Sequence, residues 1–123
     1  MSSMLVHIRL VVGRTELRGI LDTVAGRDFA SLLPVTLTLS DFHSTEKIAD
    51  LPRTLDMAGA AAGTAAAAGD ITFYAPWGNL ALFYRDFPYS DGLVRLGRFN
   101  DDTAAAVLAE LPSGTAVTLE VTT

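Results

Sequence analysis

Alternating hydrophobic and polar residues along the chain predict a protein built mainly of β-strands. Apolar side chains occupy every second position in residues 6–12, 35–39 and 117–121, which is the period of a strand buried on one face. Residues 15–21 and 93–99 also fit strands. Residues 46–51 fit a short strand that ends at Pro52, because proline cannot donate to a strand ladder.

The densest group of aromatic residues predicts a β-hairpin at the centre of the fold. Residues 71–75 and 80–84 are two apolar runs, and Pro76, Trp77, Gly78 and Asn79 form a turn between them. The single tryptophan of the chain lies in this turn. Each aromatic ring buries a large apolar area, so we expect the two strands to be paired neighbours in a small β-domain.

Two short helices are predicted between the strands. Asp22 or Thr23 would cap the first, which ends before Pro34, and Asp101 or Asp102 would cap the second, over residues 103–111.

The remaining segments are predicted to be loops. The alanine-rich residues 57–68 contain two glycines and no apolar stripe, so they predict a surface loop or, alternatively, a short helix. Residues 87–92 predict a loop. The resulting eight strands can close into a barrel filled by its own side chains. The fold class is therefore mainly β, as one domain over residues 1–123.

Composition and charge narrow the classes of partner. Nine basic and fourteen acidic residues give a net charge of −5, which repels phosphate backbones, so we expect no nucleic acid partner. The chain has no cysteine, which excludes disulfides and thiolate sites and fits a reducing compartment. No signal-peptide pattern is present, and the alanine-rich stretch is too short to span a bilayer. We expect a cytoplasmic protein without a membrane partner.

The sequence contains no established catalytic or metal-binding pattern. His7 and His43 stand alone, no serine lies in a nucleophile elbow, and no glycine-rich loop leads into a helix. We therefore expect no metal and no cofactor, and we assign no catalytic residue. An acid–base pair among Glu46, Asp70 and Asp86 stays open, since these carboxylates could meet in space.

Six segments, together with the order of elements, carry a resemblance to a bacterial group of small, mostly single-domain proteins with a cyclophilin-like fold. The segments are Phe29-Ala-Ser-Leu-Leu-Pro34, Thr45-Glu-Lys-Ile48, Leu51-Pro-Arg53, Gly69-Asp-Ile71, Ala75-Pro-Trp-Gly-Asn79 and Leu96-Gly-Arg98. The resemblance implies a closed eight-stranded β-barrel with a short helix capping each end. It does not extend to the isomerase motif of cyclophilins, a Phe-His-Arg segment followed by Gln-Gly-Gly. Here Phe42-His43 precedes Ser44, and the chain contains no glutamine.

Seven residues form the candidate ligand site: Glu46, Arg53, Tyr74, Trp77, Asn79, Tyr84 and Arg98. Trp77 offers a stacking surface, Asn79 a donor and an acceptor, and Arg53 a bidentate anchor for a carboxylate. Strand alternation predicts that only one of Arg95 and Arg98 faces inward, and Arg98 lies in the family-like segment. The alternative for each residue is structural: a turn, a core-edge tyrosine or a surface ion pair.

These observations support three hypotheses. The first is a module that binds a small molecule or short peptide in an aromatic and polar pocket. The second is an enzyme, either similar to a prolyl isomerase or an acid–base catalyst that uses Glu46 or Tyr74. The third is a structural module that self-associates. The sequence does not assign an oligomeric state.

Overall fold

Ten strands and two helices follow one another within residues 5–122, the part of the chain that the computed structural model describes. The strands are β1 (Val6–Val12), β2 (Thr15–Leu21), β3 (Val35–Phe42), β4 (Glu46–Asp50), β5 (Gly63–Ala66), β6 (Asp70–Tyr74), β7 (Asn79–Phe83), β8 (Phe87–Asp91), β9 (Leu93–Phe99) and β10 (Thr115–Val121). The helices are α1 (Val24–Ala30) and α2 (Ala104–Glu110). Neither helix has the length and apolar character needed to cross a membrane.

Eight of the strands close into an antiparallel barrel, as predicted. Their order around the barrel is β1-β10-β3-β4-β7-β6-β9-β2, and β5 pairs with β8 in a separate two-stranded sheet, called the ribbon below. The predicted aromatic hairpin is β6 and β7, with Ile71 opposite Leu82 and Phe73 opposite Leu80. These four side chains are fully buried and lie in the main core inside the barrel.

One helix lies at each end of the barrel. Because neighbouring strands are antiparallel, the connection from β2 to β3 that contains α1 is at the opposite end from the β9 to β10 connection that contains α2. Phe29 of α1 and Leu108 of α2 are fully buried in the main core. Amphipathic packing of this kind stabilises helices that are too short to persist alone. The expectation of a capping helix at each end is confirmed.

The helix caps agree with the sequence in part. Thr23 caps α1, and its hydroxyl oxygen accepts a 2.9 Å hydrogen bond from the Gly26 N–H. At α2 the N-cap position is Thr103 rather than either predicted aspartate. The Asp101 carboxylate instead accepts hydrogen bonds from the Thr103 N–H and hydroxyl, at 2.9 and 2.7 Å. Asp101 therefore stabilises the start of the helix from two residues before the N-cap.

Helix α1 docks on a bulge in β9. The β6–β9 register steps from Ile71 opposite Gly97 to Thr72 opposite Arg95, which leaves Leu96 between the paired positions. The Leu96 carbonyl oxygen accepts a 3.1 Å hydrogen bond from the Asp22 N–H. A Cβ atom on Gly26 would collide with the same carbonyl oxygen. Glycine weakens the helix but allows this close approach to the strand.

The prediction that one of Arg95 and Arg98 faces inward is wrong. Arg98 is exposed, and the half-buried Arg95 pairs with the Asp22 carboxylate at 2.8 Å. Neither belongs to the core. The alternation rule holds for a regular strand, whereas the bulge in β9 shifts the residues that follow it.

The ribbon departs most from the sequence prediction, because it lies in the two segments predicted to be loops. Gly63 of β5 is buried against β8, and a Cβ atom there would collide with the Ser90 carbonyl oxygen. Behind the ribbon, a second, smaller core contains Ala66, Ala81, Phe83 and Leu93. Strand β7 is thus buried on both faces: alternate residues face the barrel interior and the ribbon.

Candidate functional site

A cavity of about 220 Å³ lies on the outside of the barrel, where strands β4, β6 and β7 meet the ribbon. It is lined by Phe42, Glu46, Ile48, Tyr74, Trp77, Asn79, Phe83, Phe87, Ser90 and Leu93. Its volume is below the range of about 300–1,000 Å³ that is typical for drug-sized ligands. The size fits a small ring or the end of a longer molecule.

Strand alternation brings the polar residues to this face. On β4, Glu46 and Ile48 line the cavity, whereas Lys47 and Ala49 are buried on the opposite face of the strand. On β7 the cavity residues are Asn79 and Phe83. Glu46 is opposite Phe83 in the register and Asp50 is opposite Asn79, so the carboxyl and the amide stand at opposite ends of the β4–β7 pair.

Glu46 is a buried carboxyl group without a protein partner. The residue is 8% exposed, and no side chain or backbone group in residues 5–122 donates a hydrogen bond to its carboxylate. Burial removes water from the charged form and raises the pKa of Glu46 to about 7. The group therefore changes charge near neutral pH.

Asn79 contributes a buried acceptor that is also unpaired. The residue is 4% exposed, and its Oδ1 atom has no hydrogen-bond partner within the described part of the chain. One other buried side-chain atom, Arg9 Nε, has the same status, but it lies 3.3 Å from a Glu120 carboxylate oxygen. Leaving a buried acceptor unpaired costs about 1–3 kcal/mol, so such an atom indicates a place where water or a ligand binds.

Aromatic rings form the remaining walls. Trp77 is 58% exposed, and its ring stands nearly perpendicular to the rings of both Tyr74 and Phe42. The ring centroids lie 5.3 and 5.4 Å apart, and both interplanar angles are 85°. Phe83 and Phe87 pack against each other with centroids 5.5 Å apart. The cavity combines apolar walls with two unpaired polar groups.

The cavity brings together four of the seven predicted site residues, namely Glu46, Tyr74, Trp77 and Asn79. Whether they bind a ligand stays a prediction.

The other three predicted residues lie elsewhere on the molecule. Arg53 donates two hydrogen bonds of 2.7 and 3.0 Å to the Asp28 carboxylate, so its guanidinium group is already paired. Tyr84 donates a 2.5 Å hydrogen bond to Asp41, and burial together with that carboxylate raises the pKa of Tyr84 to about 12. Arg98 lies exposed on β9, beside the turn after Phe99.

Sequence reasoning missed six lining residues: Phe42, Ile48, Phe83, Phe87, Ser90 and Leu93. A signal existed for Ile48 and Phe83, because they share strand parity with Glu46 and Asn79. The ribbon residues Phe87 and Ser90 had no such signal, since their position depends on a pairing with β5 that the sequence does not indicate.

Lys47 is charged and 2% exposed, but its contacts explain it as a structural residue. Its ammonium donates a 2.6 Å hydrogen bond to the Leu111 carbonyl just after α2, and it pairs with Asp41 at 3.1 Å. The Tyr84 ring lies 5.6 Å from the ammonium nitrogen. Because these partners satisfy the charge, Lys47 offers no free donor.

A larger hollow of about 340 Å³ lies beside the start of α1 and the alanine-rich segment. Its one charged lining residue is Arg95, which is paired with Asp22. Small apolar side chains make up most of the rest. Across residues 5–122, no group of three or more metal-ligating side chains is close enough together to hold an ion. Of these places, the cavity beneath the ribbon is the one with unpaired buried polar groups.

Comparison with known proteins agrees with this architecture. No curated protein sequence matches the chain. The hypothetical protein AF2241 from Archaeoglobus fulgidus, whose structure was determined in solution, superposes with a TM-score of 0.69 at 15% identity, covering 98% of each chain. That likeness shows a shared fold. A sequence profile of the Cyclophilin-like family matches residues 10–120, nearly the whole barrel. The chain therefore belongs to the Cyclophilin-like family.

Proposed function

We propose that the protein binds a small molecule, or one side chain of a short peptide, in the cavity beneath the ribbon. The observation that carries the proposal is the unpaired Oδ1 atom of Asn79, which is buried in the cavity wall. A bound N–H or O–H group would supply the missing hydrogen bond. The aromatic walls would stabilise the rest of the ligand through burial of apolar surface.

A fragment screen by ligand-observed NMR tests this proposal. We expect small aromatic compounds with hydrogen-bond donors to bind and to change the fluorescence of Trp77, the single tryptophan, which lines the cavity. Ser90→Phe places a ring inside the cavity and should abolish binding. Thr38→Phe places the same ring at an exposed position of β3 and should leave binding unchanged. Binding that survives in the Ser90→Phe variant would place the site elsewhere and end the proposal.

A second candidate function is acid–base catalysis by Glu46. A general acid or base is most efficient when its pKa lies near the working pH, and the pKa of Glu46 is about 7. If the cavity is catalytic, a bound fragment with a labile proton should be converted by the wild type and only bound by Glu46→Gln. Prolyl isomerisation is less favoured, because no arginine is among the described residues that line the cavity.

A further inference from the structure

The described residues that line the cavity include one acidic side chain and no basic one. Glu46 and Tyr74 are its titratable lining residues, and no cationic side chain lines it within the described part of the chain. The nearest ammonium, Lys47, faces the other side of β4 and is held by Asp41 and the Leu111 carbonyl. The carboxylate of Glu46 is thus a buried negative charge without a counter-charge in the protein.

The aromatic walls favour the opposite charge. The face of an aromatic ring carries negative electrostatic potential and attracts cations. Phe42 and Tyr74 both contact Trp77 at nearly right angles, and all three rings line the cavity. A net charge of −5 on the whole chain adds to the attraction at long range.

We infer that the ligand of this cavity is an organic cation: an ammonium group on a short apolar or aromatic body, whose charge pairs with Glu46. This inference rests on the proposed function and specifies its ligand. An anion would be repelled by the Glu46 carboxylate, and a neutral compound would gain nothing from its charge. An ammonium group supplies both the counter-charge and the donors that the carboxylate lacks.

The position of Asn79 adds a constraint on shape. Asn79 and the partner of Glu46, Phe83, are four residues apart on β7, which corresponds to about 13 Å along a strand. A short cation that pairs with Glu46 therefore does not reach Asn79, and a longer ligand would need a second N–H or O–H group to bind both. Ile48 and the aromatic rings would contact its apolar middle.

Three probes of similar size but different charge test the inference on the wild-type protein. Benzylamine is a cation at neutral pH, benzyl alcohol is neutral, and benzoate is an anion. A charge-assisted hydrogen bond should make benzylamine bind about tenfold or more tightly than benzyl alcohol, and benzoate should bind most weakly. The dissociation constants follow from titrations of Trp77 fluorescence, confirmed by calorimetry. A fourth probe, Nα-acetyl-lysine amide, shows whether a peptide lysine or a free amine is the better source of the ammonium.

Glu46→Gln is the matched variant, because glutamine keeps the shape of the side chain and removes its charge. It should bind benzylamine and benzyl alcohol with equal strength, whereas Glu110→Gln, at an exposed position at the end of α2, should keep the wild-type preference. The comparison of probes on the wild type needs no variant to fold.

The outcomes separate this inference from the proposed function. If benzyl alcohol or benzoate binds in the cavity as tightly as benzylamine, the cavity is a ligand site and the inference about charge is wrong. If benzylamine retains its advantage in Glu46→Gln, the charge of Glu46 does not select the ligand, and the inference is equally wrong. If none of the probes binds but the fragment screen finds neutral or anionic ligands for the cavity, the inference about charge is wrong and the proposed function stands. If the screen also finds no ligand, both proposals fail.

Discussion

Replacing Glu46 with glutamine should change how the stability of the protein depends on pH. Burial raises the pKa of Glu46 from 4.5 to about 7 in the folded protein. The folded state therefore holds this proton more tightly than the unfolded state does. The resulting contribution to stability is fully present below pH 4.5, and it is lost as the pH rises through about 7.

The magnitude follows from the size of the shift. Each pKa unit corresponds to about 1.4 kcal/mol, so Glu46 makes the wild type about 2–3 kcal/mol more stable at pH 5 than at pH 8, apart from all other groups. Glutamine does not titrate and makes no such contribution. The unfolding free energy of Glu46→Gln minus that of wild type should therefore be about 2–3 kcal/mol higher at pH 8 than at pH 5. Relative to wild type, the variant is thus more stable at pH 8 than at pH 5.

Urea denaturation between pH 5 and pH 8, followed by far-ultraviolet circular dichroism, measures this difference. Carboxylates with lowered pKa values, such as Asp28 and Asp41, affect both proteins alike and cancel in the comparison. Glu110→Gln controls for the removal of a carboxylate at an exposed position. A difference between Glu46→Gln and wild type that is constant with pH, or larger in favour of the variant at pH 5, would refute the account of Glu46 as a buried, unpaired acid.

Three further substitutions test the fold by chemical denaturation. Gly26→Ala should lower the unfolding free energy by about 1–3 kcal/mol, because its Cβ atom meets the Leu96 carbonyl oxygen, and a stabilised variant would contradict that close packing. Lys47→Met should cost about 1–3 kcal/mol, since the Leu111 carbonyl loses its donor, and an unchanged midpoint would show that the contact is not needed. A hydrogen bond from the Arg53 guanidinium lowers the pKa of Asp28 from 3.8. The Asp28 carboxylate therefore contributes to stability above pH 3.8, and this contribution is lost as the pH falls through the folded pKa. Asp28→Asn should thus be less stable than wild type at pH 7, with a gap that closes in acid, and a gap constant with pH would exclude the ion pair as its cause.

The barrel could be predicted from the sequence because its signals are local. The two arms of the β6–β7 hairpin are neighbours in the chain, and the short turn that contains Trp77 determines how they pair. The first hairpin, β1 and β2, is equally local, as Val6 pairs with Leu21 and Val12 with Thr15 across the turn. The eight barrel strands and the positions of the two helices followed from these patterns.

The ribbon could not be predicted, because its stability comes from tertiary contacts rather than from strand propensity. Alanine and glycine dominate β5 and are poor strand formers, and Pro88 interrupts β8. Gly63 and Asp91 pair across an intervening hairpin, and local patterns cannot reveal such a pairing. The two cavity residues that the ribbon supplies, Phe87 and Ser90, could therefore not be predicted from the sequence.

The candidate site shows the same division between local and distant contacts. Tyr74, Trp77 and Asn79 lie on one hairpin, so their proximity was predictable. Arg53 was predicted as a ligand anchor, but Asp28, twenty-five positions earlier in the chain, occupies it. A basic residue that looks unpaired in a sequence is free only if no distant carboxylate folds against it.

The two-faced burial of β7 bears on how this protein could diversify. Leu80 and Leu82 hold the barrel together, while Ala81 and Phe83 support the ribbon, so every residue of the strand except Asn79 is committed to a core. The ribbon supplies Phe87 and Ser90 to one wall of the cavity. Substitutions in that wall could therefore change which ligand binds, while the core residues of β7 stay the same.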